Sequence, residues 1–271
     1  MKKRLFTIFA VVFFTACSTN SITNRKQLNL FPESSLQQEA VTQYRSFLNQ
    51  NKVMSETVSK DAEMVKRVGT RIAQAITTYY AQKGLSKELE GYKWEFNLVD
   101  NKEVNAWCMP GGKVVVYTGL LPITQNEAAL AVVLGHEITH AVAHHGNERM
   151  SQVALAQGLE IVGNIFTQNN PKAHSIFNNV YAPTAQIGVL LPNSRNQEYE
   201  ADHYGLIFSA MSGYNPREAI PFWQRMAKAG GNKGMPEFLA THPSDENRIA
   251  KLEAIMDEAL SFYKPLNNNV K

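Results

Sequence analysis

Residues 136–140 read His136-Glu137-Ile138-Thr139-His140, and the reading of the whole chain works outward from that pentapeptide. Residues four apart share one face of an α-helix at about 6 Å, so both imidazoles can converge on one metal ion. Zinc takes nitrogen donors at about 2.0–2.1 Å in tetrahedral geometry, and a catalytic site keeps one position for water. Glu137, next to the first histidine, is then placed to take a proton from that water as it attacks a carbonyl.

The surroundings strengthen the motif. Thr124 through Ala143 reads as one buried helix, with a T-x-x-E capping box at Thr124 and Glu127 and Pro122 just outside it. Residues 128–134 are apolar all round, so the polar residues of this helix are confined to the motif. Two satisfied core histidines with a glutamate partner would be the bland alternative. It does not easily explain an ionisable triplet on an otherwise apolar helix, because unpaired buried charge is costly.

The third ligand is not in the same stretch. The extended pattern H-E-x-x-H-x-x-G-x-x-H needs glycine at 143 and histidine at 146, whereas the chain has Ala143 and Gly146. His144 lies eight residues beyond His136, about 12 Å along a helix axis, so His144 and His145 read as a polar helix end. A carboxylate is needed, and Asn193-Ser-Arg-Asn-Gln-Glu-Tyr-Glu-Ala-Asp-His-Tyr-Gly205 is the best supplier. Glu198 and Asp202 are four apart and share a face, while Glu200 points away. One acid can bind metal and the other can hold the N–H of a ligating histidine. Without the upstream motif, all three acids would read as a solvated helix face.

Together with Asn105-Ala-Trp-Cys-Met-Pro-Gly-Gly-Lys-Val-Val-Val-Tyr-Thr-Gly119 and Thr241-His-Pro-Ser-Asp-Glu-Asn-Arg248, these blocks resemble, in order and spacing, the HtpX-like and CAAX-prenyl-protease type (Ste24-like) zinc metallopeptidases. The resemblance covers residues 25 to 260. It implies a zincin fold with one zinc per chain, Glu198 as third ligand and Asp202 behind a ligating histidine. It also carries the late His-Pro histidine onto His242, near the metal, and a following arginine onto Arg248. Integral-membrane members of that family have hydrophobic spans, and this chain has none after residue 16, so it resembles the soluble, lipid-anchored periplasmic branch.

The first residues give the same expectation. Lys2-Lys3-Arg4 and the apolar run Leu5–Ala16 form a signal pattern too short for the ~20 residues of a membrane span. Phe14-Thr15-Ala16-Cys17 resembles a lipobox, with cleavage before Cys17 and lipid on its thiol and amine. The alternative is an ordinary secretory signal. Ser18 instead of aspartate after the cysteine points to outer-membrane sorting in a two-membrane cell, so the expectation is an anchor at the periplasmic face of the outer membrane, held by more than one acyl chain. Of 27 basic residues, removal of those three leaves 24 against 24 acidic ones. A near-neutral mature chain offers no electrostatic case for nucleic acid. The remaining cysteine, Cys108, reads as a small buried hydrophobe.

Residues 1–16 are thus expected as a signal peptide, 17–32 as a polar tether and 33–265 as the metallopeptidase domain. Helical spacing covers 36–48, 61–80, 125–147, 150–166, 195–212, 217–229 and 244–263. Short β patterns cover 94–99, 104–109 and 113–117, with Pro110-Gly111-Gly112 as a turn. Residues 167–191 read as a loop with short helical pieces between the ligand-bearing helices. The fold class is α+β, mostly helical, with a small sheet beside the motif helix.

The function expected is a zinc endopeptidase acting on misfolded or misassembled cell-envelope proteins. His136, His140 and Glu198 hold zinc, Glu137 is the general base, and His242 with Arg248 stabilises the oxyanion. His242 is also within reach of the zinc itself and would close the site at rest. Lys113–Tyr117 is expected as an edge strand that accepts extended substrate. The competing functions are a zinc hydrolase of cell-wall peptides and a non-catalytic chaperone-like module, and the intact Glu137 argues against the module.

Overall fold

A computed structural model describes residues 17–158, 166, 170–181, 194–233, 236–242 and 247–266. The expected signal peptide, residues 1–16, lies outside them. The chain is then an antiparallel hairpin, β1 (Cys17–Thr19) with β2 (Lys26–Leu28), followed by helices α1 (Glu33–Gln50) and α2 (Lys60–Gln82). The tether expected over 17–32 is instead packed on the body. Asn20 and Gln27 are buried, and both side-chain amides donate to the Ala143 carbonyl at 2.9 Å. The stretch looks polar because its polar groups are spent on the protein, not on water.

Three strands follow: β3 (Glu95–Val99), β4 (Ala106–Met109) and β5 (Lys113–Tyr117). Their order is β3-β5-β4, with β3 parallel and β4 antiparallel to β5. The expected edge strand Lys113–Tyr117 is therefore the centre of the sheet, and β4 is an edge. Its composition fits the central place: Val114 and Val116 face the main core, while Val115 and Tyr117 face a second core with Leu36, Tyr44 and Trp107.

After a single turn, α3 (Leu121–Thr124), comes α4 (Glu127–Val142), which carries the motif. The expected capping box is not used. Gln125 turns left-handed, and the Asn126 side chain caps α4 by accepting from Ala129 N at 2.8 Å. The helix stops at Ala143, where its carbonyl is taken by Asn20 and Gln27 and His144 adopts φ 57°. The single helix expected over 125–147 is thus two, with α5 (His145–Ala156) leaving in a new direction.

Of the stretch 167–191, residues 170–181 are described. They form a regular helix, α6 (Pro171–Tyr181), that buries Ala173, Ile176, Phe177 and Val180 in the second core. The chain continues through α7 (Ser194–Met211), α8 (Ala219–Lys233), α9 (Glu237–Thr241), α10 (Arg248–Ala254) and α11 (Met256–Ser261). The class is α+β, mostly helical, with small sheets.

Candidate metal centre

Helices α4 and α7 approach backbone to backbone through two glycines. A Cβ at Gly135 would collide with the Gly205 carbonyl, and one at Gly205 would sit 2.7 Å from His136 N. Ser209 at the next turn donates to Ala131 O at 2.8 Å. This closeness brings the acids of α7 onto the histidines of α4.

The imidazoles of His136 and His140 converge, with their Nε2 atoms 3.1 Å apart. Glu198 places Oε2 3.3 Å from His136 Nε2 and Oε1 3.4 Å from His140 Nε2. His242 Nδ1 is 3.2 Å from His136 Nε2 and 3.3 Å from each Glu198 oxygen. All four residues are buried, and their donor atoms lie within 4.8 Å of one another. Donors at about 2.0–2.1 Å around a tetrahedral zinc stand about 3.4 Å apart, close to the spacings found.

Proton placement supports the same fit. For Nε2 to ligate, each imidazole carries its proton on Nδ1. His136 Nδ1 meets Asp202 Oδ1 at 2.9 Å and His140 Nδ1 meets His145 Nδ1 at 2.8 Å. Two lone pairs and a carboxylate then face one point, where a cation makes the arrangement attractive. Burial opposes charge on His136, yet Asp202 and Glu198 lift its pKa to about 9, so the local field favours positive charge. Burial likewise works against Glu198, but His242 and His140 hold its carboxyl well below the usual range. The donor set fits zinc.

Glu137 is buried on the same helix, its Oε1 3.3 Å from His242 Nε2. Burial raises its pKa above the ordinary carboxylate value, against the pull of His242 and His136. A raised carboxyl is a better proton acceptor near neutrality. Cys108, on β4, is half-buried, its thiol pushed up by burial and by Glu137. It packs against the main core as a small hydrophobe.

The structure moves one of the expected residues. Arg248 does not face the point where the donors meet. Its guanidinium lies behind His136, donating to Asp202 Oδ1 at 2.6 Å and stacked 3.3 Å from the Trp223 ring centre. A group there orients His136 through Asp202 and is on the wrong side for an oxyanion. His242, which stays with the donors, ends α9, its N–H bonded to Phe238 O at 2.9 Å.

Two residues outside the expected site join this cluster, His145 in place of a polar helix end and Glu200 in place of an outward-pointing acid. His145 is fully buried between His140 and Glu200, with Nε2 2.8 Å from Glu200 Oε2. Glu200 points away from the Glu198–Asp202 face, as its spacing requires, but into this contact and not into solvent. The signal in the sequence is the His144-His145 pair directly after the motif, which an unbroken helix would turn away from His140.

The profile of Peptidase family M48 matches residues 59–256. Among curated proteins, the chain is 31% identical to the mitochondrial metalloendopeptidase OMA1 of Schizosaccharomyces pombe over 261 residues, 92% of this chain and 69% of that one. It is 34% identical to the OMA1 of Arabidopsis thaliana over 224 residues, 79% of this chain and 44% of that one. It is 31% identical to the β-barrel assembly-enhancing protease of Escherichia coli over 163 residues, 58% and 33% of the two chains. The chain spans about half the length of most OMA1 relatives it matches. Relatives matched over most of the chain are mitochondrial, which overturns the lipid-anchored location at the outer membrane that the first residues suggest. Among the described residues, no helix is long and apolar enough to cross a membrane. With His136, His140 and Glu198 gathered where they could hold a zinc ion and the profile running through all three, the chain belongs to peptidase family M48, whose members are zinc metallopeptidases.

Proposed function

We propose that the protein is a zinc-dependent endopeptidase that cleaves misfolded or misassembled proteins. The observation that carries this reading is the convergence of His136, His140 and Glu198 with a buried Glu137 on the same helix. The metalloendopeptidase relatives support the reaction class. The motif blocks' likeness to HtpX-like and CAAX-prenyl-protease type enzymes supports the same chemistry.

Zinc, when bound, supplies a Lewis acid and brings a water's pKa toward ~7. Glu137 takes the proton and passes it to the leaving amine, the work its raised pKa suits. Asp202, held by Arg248, fixes the ring of His136. His242 stands as a fourth donor at rest, with Nδ1 on Glu198 and Nε2 toward Glu137. It swings aside for substrate and then serves the developing oxyanion. The edge strand β4 accepts the extended substrate by backbone pairing, which tolerates many sequences.

Incubation of the purified protein with casein, with and without chelator, tests this. Cleavage inside the chain that stops with chelator and returns with zinc is expected. An inert zinc-loaded protein, or cleavage indifferent to chelator, would sink the reading. Activity on cell-wall peptides alone would favour the amide-hydrolase alternative.

A further inference from the structure

The hairpin before α1 reaches the metal centre through a continuous chain of contacts. Arg25, in its turn, places Nε 2.6 Å from Glu200 Oε1. Glu200 Oε2 lies 2.8 Å from His145 Nε2, and His145 Nδ1 lies 2.8 Å from His140 Nδ1. Glu148 holds the other side of Arg25 with two bonds of 2.7 Å, and Gln197 in turn donates to Glu148 at 2.7 Å. His145 is fully buried, while the Arg25 and Glu200 side chains keep only 17% and 15% of their exposure.

The direction of these bonds follows from the ligand atom. If Nε2 of His140 faces the metal, its Nδ1 proton must be donated, and the acceptor there is His145 Nδ1. His145 then carries its own proton on Nε2 and donates it to Glu200. The carboxylate is left needing a cation, and Arg25 supplies it. Every donor has an acceptor in this order and in no other that leaves His140 Nε2 free. The other ligand histidine has a shorter version of the same construction, His136–Asp202–Arg248. Each ligating imidazole is thus backed by a carboxylate and each carboxylate by an arginine, but the second chain is longer by one imidazole.

We infer that Arg25, Glu200 and His145 are positioning residues for His140, so that the N-terminal hairpin is a working part of the zinc site although it lies outside the matched residues 59–256. This rests on His140 being a zinc ligand. The hairpin is fixed independently of Arg25: Asn20 and Gln27 hold Ala143 O at the end of α4, and the Tyr204 hydroxyl of α7 donates to Ile22 O. A turn so anchored to both ligand-bearing helices gives Arg25 a fixed position from which to aim Glu200.

The test compares the full chain with Arg25→Ala, Arg25→Lys and Glu200→Gln. Zinc affinity is read by chelator competition, geometry by the visible spectrum of the cobalt-substituted protein, and stability by urea melts of the metal-free form. Arg25→Ala and Glu200→Gln are each expected to weaken zinc by about 10–100-fold, the usual loss when a ligand's outer partner is removed, and to shift the cobalt bands. Arg25→Lys should recover part of the affinity. The double variant should be little worse than either single one, because both cut the same chain. Unchanged affinity and cobalt bands beside a lowered urea midpoint would make the cluster merely structural and overturn the inference. His140→Ala is the control for the underlying reading. Full zinc retention there would remove His140 from the ligand set, and the relay with it.

Discussion

Glu137 is the general base of the proposed mechanism, and it can be altered without changing shape. Glu137→Gln should keep zinc at one per chain while lowering the rate on casein by a factor of order 10²–10⁴, the usual worth of a general base. Zinc analysis beside initial rates checks it, and near-normal cleavage would remove Glu137 from the mechanism. Glu198→Ala, by contrast, should lose the metal itself. Asp202→Ala should fall between, weakening zinc by about 10–100-fold. His136 and His140 are legible in the sequence because spacing on a helix fixes direction: i and i+4 face one way whatever surrounds them. Spacing likewise puts Glu198 and Asp202 on one face, but which of the two meets the metal is given only by the family resemblance. His145 is not legible, because on an unbroken helix a residue five places past His140 lies about 140° round the axis. Only the break at Ala143, where side chains from more than a hundred residues earlier take the carbonyl, turns it back onto His140.

Among the elements, the contact between α4 and α7 sets the whole geometry. Gly205→Ala puts a methyl 2.7 Å from the His136 backbone nitrogen. Forcing the helices apart there should cost about 1–3 kcal/mol, as overpacking does, and should lower zinc affinity as well. Urea midpoints and chelator competition measure the two effects, and a neutral result would mean the helices slide freely. The start of α4 is a milder case. Asn126→Ala removes the cap on Ala129 N and should cost about 1 kcal/mol with the zinc site intact. Element type was largely readable from periodicity, but β5 reads as an edge in the sequence although its Val114–Val116 run suits the centre it occupies. Strand order was not readable, since it depends on partners brought together by the fold.

At the scale of the whole molecule, the buried acids decide the response to pH. Burial works to raise Asp202 and Glu200, but Arg248 and His136 lower the first, and His145 and Arg25 lower the second. A carboxyl depressed in the folded state contributes stability that is complete above its unfolded value, about 4. That stability is lost as pH falls through the folded value. The urea midpoint of the metal-free protein should therefore drop below about pH 4, and a midpoint that rose on acidification through that range would contradict the pairing described. Zinc binds only the folded site and should raise the melting temperature, with chelator reversing it. The same ion pairs also set when the site is finished. Arg25 and Glu200 are 175 positions apart, so a chain made from its N-terminus holds the arginine long before the glutamate exists. Closing so large a loop is slow. During synthesis and early collapse the motif helix can form, but His140 has no fixed orientation until α7 arrives, and His242 comes later still. The donor set is thus incomplete until both α7 and His242 have been made, so a chain stopped short of either lacks part of the site.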